Sequence, residues 1–261
     1  MSLNVPTMAE LAARGETAEV LFWVGCAGSF DERAKKVTKA VAKLLNQAGV
    51  SFAVLGSEES CTGDPARRAG NEFLFQMQAL TNIEVLNGYS VQKIVAACPH
   101  CFNTLKNEYP QLGGTYEVFH HSQFIEQLLR DGRLRVEGGS FKGKRIVFHD
   151  PCYLGRVNGE YEAPRALLEK LDAEIHEMKR SKKNGFCCGA GGAQIFKEPE
   201  AGNAEVHHVR AEEAIATGAD VIAVGCPFCK LMLTDGVTHH GKEGQVQVLD
   251  IAEAIATAND L

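Results

Sequence analysis

Short apolar runs alternate with amphipathic stretches along this chain, and the whole alternation occurs twice. Leu21-Phe22-Trp23-Val24 and Arg145-Ile146-Val147-Phe148 read as short buried strands, each ending near a cysteine. Helical patterns follow, Glu32 to Asn46 and Glu162 to Leu171, then second strands at Phe52 to Leu55 and Ile175 to Met178. Asp64-Pro65 predicts an N-cap followed by proline at N1, opening a long helix toward Leu86. Its counterpart is predicted from about Pro199 to Thr217. Strands at Ile94 to Ala97 and Val221 to Val224 each run into a Cys-Pro-x-Cys turn and a short helix. A strand and a helix close each half: Glu117 to Phe119 with Gln123 to Arg130, and Gln247 to Leu249 with Ile251 to Ala258. Strands alternating with helices predict an α/β fold of two tandem, duplicated domains, with ligands collecting at the strand ends. The Gly/Lys-rich stretch Gly138 to Lys144 predicts the linker, dividing the chain into 1–140 and 141–261.

The cysteine spacing carries the duplication further. Cys26 to Cys61 is a step of 35 positions, and so is Cys152 to Cys187. Cys98-Pro99-His100-Cys101 then matches Cys226-Pro227-Phe228-Cys229. The first half has four cysteines and the second has five, because Cys188 directly follows Cys187. With 261 residues, 45% of them hydrophobic, each half can build its own core. A net charge of −6 disfavours nucleic acid or an anionic membrane as the main partner. No stretch approaches the roughly 18 apolar residues of a membrane span. Met1 to Val20 carries Glu10, Arg14, Glu16 and Glu19 without an apolar segment, which predicts no secretion signal and a cytoplasmic, reducing setting, with membrane association only through a partner. Nine cysteines there point to metal or redox chemistry rather than structural disulfides.

A lone free cysteine is usually a small buried hydrophobe. Here each cysteine position follows a strand, so the loops converge at one end of the sheet, where helix N-termini stabilise anionic sulfur. Four thiolates suit zinc, and they also suit a cubane [4Fe–4S] cluster. The second half offers one sulfur more than either requires, and adjacent cysteines reach two irons of an extended cluster more easily than they chelate one ion. Gly189-Ala190-Gly191-Gly192 after them allows close backbone approach and positive φ.

These motifs, over about Val20 to Ala256, resemble the cysteine-rich (CCG) domain proteins: the cysteine-rich subunit of heterodisulfide reductase and the iron–sulfur subunits of glycolate oxidase, anaerobic glycerol-3-phosphate dehydrogenase and lactate utilisation. The resemblance implies that Cys152, Cys187, Cys188, Cys226 and Cys229 hold a noncubane [4Fe–4S] cluster, with Cys187 and Cys188 at the catalytic position. Thr62 stands opposite Cys188 in the duplication, so Cys26, Cys61, Cys98 and Cys101 are expected to hold a cubane. The resemblance implies an iron–sulfur oxidoreductase subunit passing electrons between a ferredoxin-like dicluster or flavoprotein subunit and a disulfide or a quinone, the latter through a membrane quinone-reducing subunit. Service to a lactate, glycolate, glycerol-3-phosphate or acyl-CoA-linked dehydrogenase is the alternative. A zinc-bearing scaffold and thiol–disulfide exchange by the Cys-x-x-Cys pairs are the readings outside that class.

Among other residues, His149, three positions before Cys152, is a candidate proton donor, and Asp150 a cap for the next turn. His100 is either a cluster-shielding group or a surface-turn histidine. The doublets His120-His121, His207-His208 and His239-His240 have no carboxylate at a revealing spacing and read as solvated or packed. Lys179-Arg180-Ser181-Lys182-Lys183 reads as a solvated loop or an anion-attracting patch, and Arg67 and Arg68 are placed near the first cysteine group. Nucleotide and flavin motifs are absent from the sequence.

Overall fold

The computed structural model describes residues 3–198 and 201–261. Thr7 opens α1 (Met8–Ala13) through a capping box with Glu10. Strand β1 (Val20–Trp23), buried throughout, leads into α2 (Gly25–Phe30) and α3 (Glu32–Gln47). Asp31 separates those helices: its backbone is extended and its carboxylate accepts from the Arg33 and Ala34 N–H groups. The first half continues with β2 (Phe52–Ala53), α4 (Asp64–Arg68), α5 (Glu72–Gly88), β3 (Lys93–Ala96), α6 (Pro99–Asn103), β4 (Glu117–His120) and α7 (His121–Arg130). The second contains β5 (Arg145–Phe148), α8 (Glu162–Leu168), β6 (Glu174–His176), α9 (Val206–Ile215), β7 (Val221–Val224), α10 (Pro227–His239), β8 (Gln247–Asp250) and α11 (Ile251–Ala258).

The strands form two parallel four-stranded sheets, ordered β2-β1-β3-β4 and β6-β5-β7-β8. In each, the chain leaves the two central strands toward opposite edges, and the loops after them diverge. That divergence opens a crevice at the carboxyl ends of the central strands. Cys26 follows β1 and Cys98 follows β3; Cys152 follows β5 and Cys226 follows β7. The fold therefore delivers the matched cysteines to the same place in both halves.

Strand alternation divides the core. Val20 and Phe22 of β1, with Ile146 and Phe148 of β5, face one continuous apolar cluster that also takes in α3, α7 and α11. Leu21 and Trp23 face a second cluster with α5, while Val147 faces a third with α9 and α10. The two halves thus share a core, and polar contacts tie them further: Asn259 donates to Gln47 Oε1 and Arg135 O.

Four sequence expectations differ from the structure. The long helix from Asp64 breaks in two, because Gly70 turns left-handed (φ +88°) and Asn71 caps a new helix by accepting from Leu74 N–H. Gly63, not Asp64, occupies the first cap. The counterpart helix starts only at Val206; Pro199 lies outside the described residues. The helix after Cys226 runs for 13 residues, whereas that after Cys98 widens at Thr104 into a π-helical turn and then a 3₁₀ turn ending at Leu112.

Candidate metal centre

All nine cysteines are free, and five of them are buried. In the second half the sulfurs form an unbroken run of contacts: Cys152 to Cys187, Cys187 to Cys188, Cys188 to Cys229, and Cys229 to Cys226. In the first half Cys26 contacts Cys61 and Cys98 contacts Cys101. Thr62, where the second half has Cys188, is buried and donates its hydroxyl to Cys101 Sγ at 3.8 Å. Cys98 also touches Cys226, so the two groups adjoin.

The turns that present these sulfurs are built alike. Gly63 and Gly189, each two residues after the matched cysteine, have φ +87° and +90°. Gly189 N–H donates to Cys187 Sγ at 3.2 Å, and Gly63 N–H does the same for Cys61. A Cβ on Gly63 would lie 2.8 Å from Phe75 Cδ2, so glycine is required by both space and backbone angle. Hydrogen bonds set the charge distribution. Donation from Cys26 holds Cys61 down to about 7. Donation from Cys152 and Cys188 holds Cys187 down to about 2, while Cys188, donating to Cys187, is pushed up to about 12. Burial opposes ionisation of Cys226, yet donation from Cys229 and Cys98 holds it down to about 6. Cys61 in the first half, and Cys187 and Cys226 in the second, are thus poised as thiolates whose neighbours share protons with them, the state that a bound cation replaces.

The donor sets fit iron–sulfur clusters. Four sulfurs match the coordination of a cubane, and five linked sulfurs exceed what one tetrahedral zinc accepts. The buried Trp23 indole N–H has no acceptor among the described residues, which suits a ligand beside it.

Several groups around the sulfurs carry little sequence signal. Glu59 accepts from Val24 and Gly25 N–H at 3.0 and 2.6 Å, holding the start of the Cys26 turn; burial pushes its pKa up to about 7. Its place two residues before Cys61 is the only hint in the chain. His100 is buried rather than a surface-turn residue: Nδ1 meets Asp64 Oδ2 at 2.9 Å, and its ring stacks on Tyr153 at 4.2 Å. A Cβ on Gly191 would approach His100 Cε1 to 3.9 Å, so a first-half histidine reaches the glycine turn of the second half. Arg67 and Arg68 are anchored by Glu108, with Arg68 also bound to Asp64.

His149 is buried, and a ring nitrogen lies within 4.8 Å of Cys188 Sγ and Cys229 Sγ. Its Nδ1 accepts from Arg210 Nε at 3.0 Å; burial, reinforced by Arg210, holds its pKa down to about 3. Asp150 does not cap the following turn. Its carboxylate is taken by Arg165, at 2.8 and 3.1 Å, and by Lys182 N–H at 2.7 Å.

Of the basic run, Arg180 is paired with Glu213 and stacked on Phe186, while Lys179, Lys182 and Lys183 stay exposed. Two of the three histidine doublets find carboxylates far along the chain, while His240 Nε2 meets His208 O at 2.9 Å. His121 Nε2 meets Asp250 Oδ1 at 2.8 Å across the two halves, and His207 Nε2 meets Asp235 Oδ2 at 2.9 Å. A cavity of about 870 Å³ runs between His207, Asp235 and Gly189.

Comparison with known proteins agrees with this arrangement. The cysteine-rich domain (CCG) profile matches twice, at residues 20–106 and 146–234. The probable iron-sulfur-binding oxidoreductase FadF of Bacillus subtilis (strain 168) is 45% identical over 254 residues, covering 97% of this chain and 36% of that protein. EtfAB:quinone oxidoreductase of Syntrophomonas wolfei is 42% identical over 247 residues, covering 92% and 34%. A dihydromethanophenazine:CoB--CoM heterodisulfide reductase subunit of Methanosarcina barkeri is 34% identical over 250 residues, covering 93% and 59%. The chain therefore spans between a third and three fifths of the length of these relatives. Two profile matches, each spanning three strands of one sheet and all of that half's cysteines, make this chain a member of the cysteine-rich (CCG) domain family.

Proposed function

We propose that this chain is the iron–sulfur, electron-transferring part of an oxidoreductase complex. In this reading Cys152, Cys187, Cys188, Cys226 and Cys229 hold a noncubane [4Fe–4S] cluster, and Cys26, Cys61, Cys98 and Cys101 hold a cubane. The observation that carries it is the unbroken run of contacts among five sulfurs in one half beside the four-thiol group in the other. The clusters supply one-electron redox chemistry. The protein's own groups orient the sulfurs, exclude water and supply N–H donors. Contact between Cys98 and Cys226 keeps the two sites adjacent, as electron transfer between them requires.

The relatives described as iron-sulfur-binding and quinone-linked oxidoreductases support the same class. We assign a flavoprotein or ferredoxin-like partner on one side and a disulfide or quinone on the other. The five-thiol site, whose Cys187 and Cys188 directly precede the cavity-lining Gly189, is the substrate-facing one. An exposed apolar face on α5, with Phe73, Met77 and Leu80, is of the kind that protein partners cover. No helix among the described residues is long and apolar enough to cross a membrane. Burial of both Cys-x-x-Cys pairs argues against thiol–disulfide exchange, which needs an accessible thiolate.

An EPR-monitored reductive titration of the anaerobically prepared chain tests this reading. Two distinct reversible signals are expected; a single signal, or none, contradicts it. Thr62→Cys tests the asymmetry separately. Because Thr62 is buried with its hydroxyl against Cys101 Sγ, a fifth sulfur there should shift the first-half signal toward that of the second. An unaltered first-half spectrum would show that ligand number does not decide cluster form.

A further inference from the structure

The duplication sets Trp23 and His149 in equivalent places, each three residues before the first cysteine of its half. Trp23 pairs with Ala96, two residues before Cys98. His149 N–H donates to Ala223 O at 2.9 Å, the parallel-ladder bond that pairs it with Val224, two residues before Cys226. Both side chains are about 1% exposed, and both leave their strands on the face that carries the cysteines. Each half thus offers a buried nitrogen-bearing ring three residues before its first cysteine, Trp23 in the same core cluster as Cys98 and Cys101 and His149 beside Cys188 and Cys229.

The proton on each ring is determined. An indole nitrogen can only donate, and Trp23 Nε1 finds no acceptor among the described residues. For His149 the neighbour decides: a guanidinium has only donors, so Nδ1, accepting from Arg210 Nε, holds the lone pair and the proton lies on Nε2. Arg210 has little freedom to turn away. It is fully buried, and its Nη1 is bound to Arg180 O and Glu213 Oε2 at 2.9 and 3.0 Å. A ring nitrogen of His149 lies within 4.8 Å of Cys188 and Cys229 sulfur.

Resting on the cluster-binding reading above, we infer that Trp23 Nε1–H and His149 Nε2–H are hydrogen-bond donors to sulfur of the first-half and second-half clusters. Arg210 is the positioning residue that keeps the His149 proton on Nε2. Donation to sulfur favours the more electron-rich, reduced cluster and raises its reduction potential. The two donors act on separate sites, so each cluster's potential is set by its own strand-end ring. His149 is on this account a donor to the second cluster, not a ligand of it.

The test uses the iron-loaded full chain under anaerobic conditions, with both potentials read from EPR titrations. Trp23→Phe removes one N–H and keeps the aromatic packing; it should lower only the first-half potential. His149→Phe should lower only the second-half potential, by about a tenfold change in the one-electron equilibrium, which is about 59 mV. His149→Gln, which retains an N–H donor, should recover much of the loss. Arg210→Met should shift the second-half potential downward, and Arg210→Lys should restore it. In case a variant fails to fold or load, pulsed EPR of wild-type chain labelled with histidine carrying ¹⁵N in the imidazole ring should show a nitrogen coupling on the second-half signal. Loaded variants with both potentials unchanged, or wild type without the coupling, would overturn the inference while leaving cluster binding intact. A wild-type chain that binds no iron would remove both.

Discussion

Cys188→Ser is expected to erase the EPR signal of the second-half cluster and to leave that of the first half in place. Cys188 is buried, donates to Cys187 and touches Cys229, so it closes the run of five sulfurs. Serine keeps the shape of the side chain and replaces a soft sulfur ligand by a hydroxyl, which iron–sulfur clusters accept poorly. The first half contains the natural control, because Thr62 already presents a hydroxyl at the matching position. The variant thus turns the second site into an image of the first, and any cluster remaining there should show a cubane spectrum. EPR of the reduced protein, alongside iron analysis, checks this. An unchanged second-half spectrum would remove Cys188 from the ligand set.

The largest effect on stability is expected from Asp150→Ala. Asp150 and Arg165 are both more than nine-tenths buried and meet through two hydrogen bonds, and Asp150 also takes Lys182 N–H. Removing one member of a buried ion pair leaves the other charge uncompensated, at a cost of about 3–5 kcal/mol. Glu177 also binds Arg165, at 2.6 and 2.9 Å, and keeps the loss toward the lower end. For a chain of this size each kcal/mol is worth roughly 2–4 °C in Tm, so a fall of about 10 °C should appear in calorimetry. A Tm within a degree or two of wild type would mean that the pair contributes little beyond its Glu177 half. Asp150 lies two residues before Cys152, so the same variant should also weaken retention of the second-half cluster.

Much of this was legible in the chain because the information is local. Buried strands such as Ile94 to Ala97 announce themselves by composition, and the spacing of Cys26, Cys61, Cys98 and Cys101 repeats in the second half. The parallel topology then turns that spacing into convergence at the strand ends. The break between α4 and α5 was also encoded, by Gly70 and Asn71, but a favourable Asp-Pro start and an apolar continuation outweigh two residues in a pattern reading.

Pairs that close across the fold were not legible. Arg210 reaches His149 over 61 positions, Asp250 reaches His121 over 129, and Glu59 binds backbone N–H groups 34 and 35 positions away. Nothing in local periodicity marks such partners; only the tertiary arrangement brings them together. His100 illustrates the difference most clearly. Between two cysteines on a turn it looks exposed, yet packing of the halves buries it against Tyr153 and binds it to Asp64.

The most direct test is the iron and acid-labile sulfide content of the anaerobically purified full chain, measured together with zinc. Two [4Fe–4S] clusters predict about eight irons and about eight sulfides per chain, with no stoichiometric zinc. Zinc at one or two equivalents without sulfide, or a colourless chain free of iron, would contradict the account.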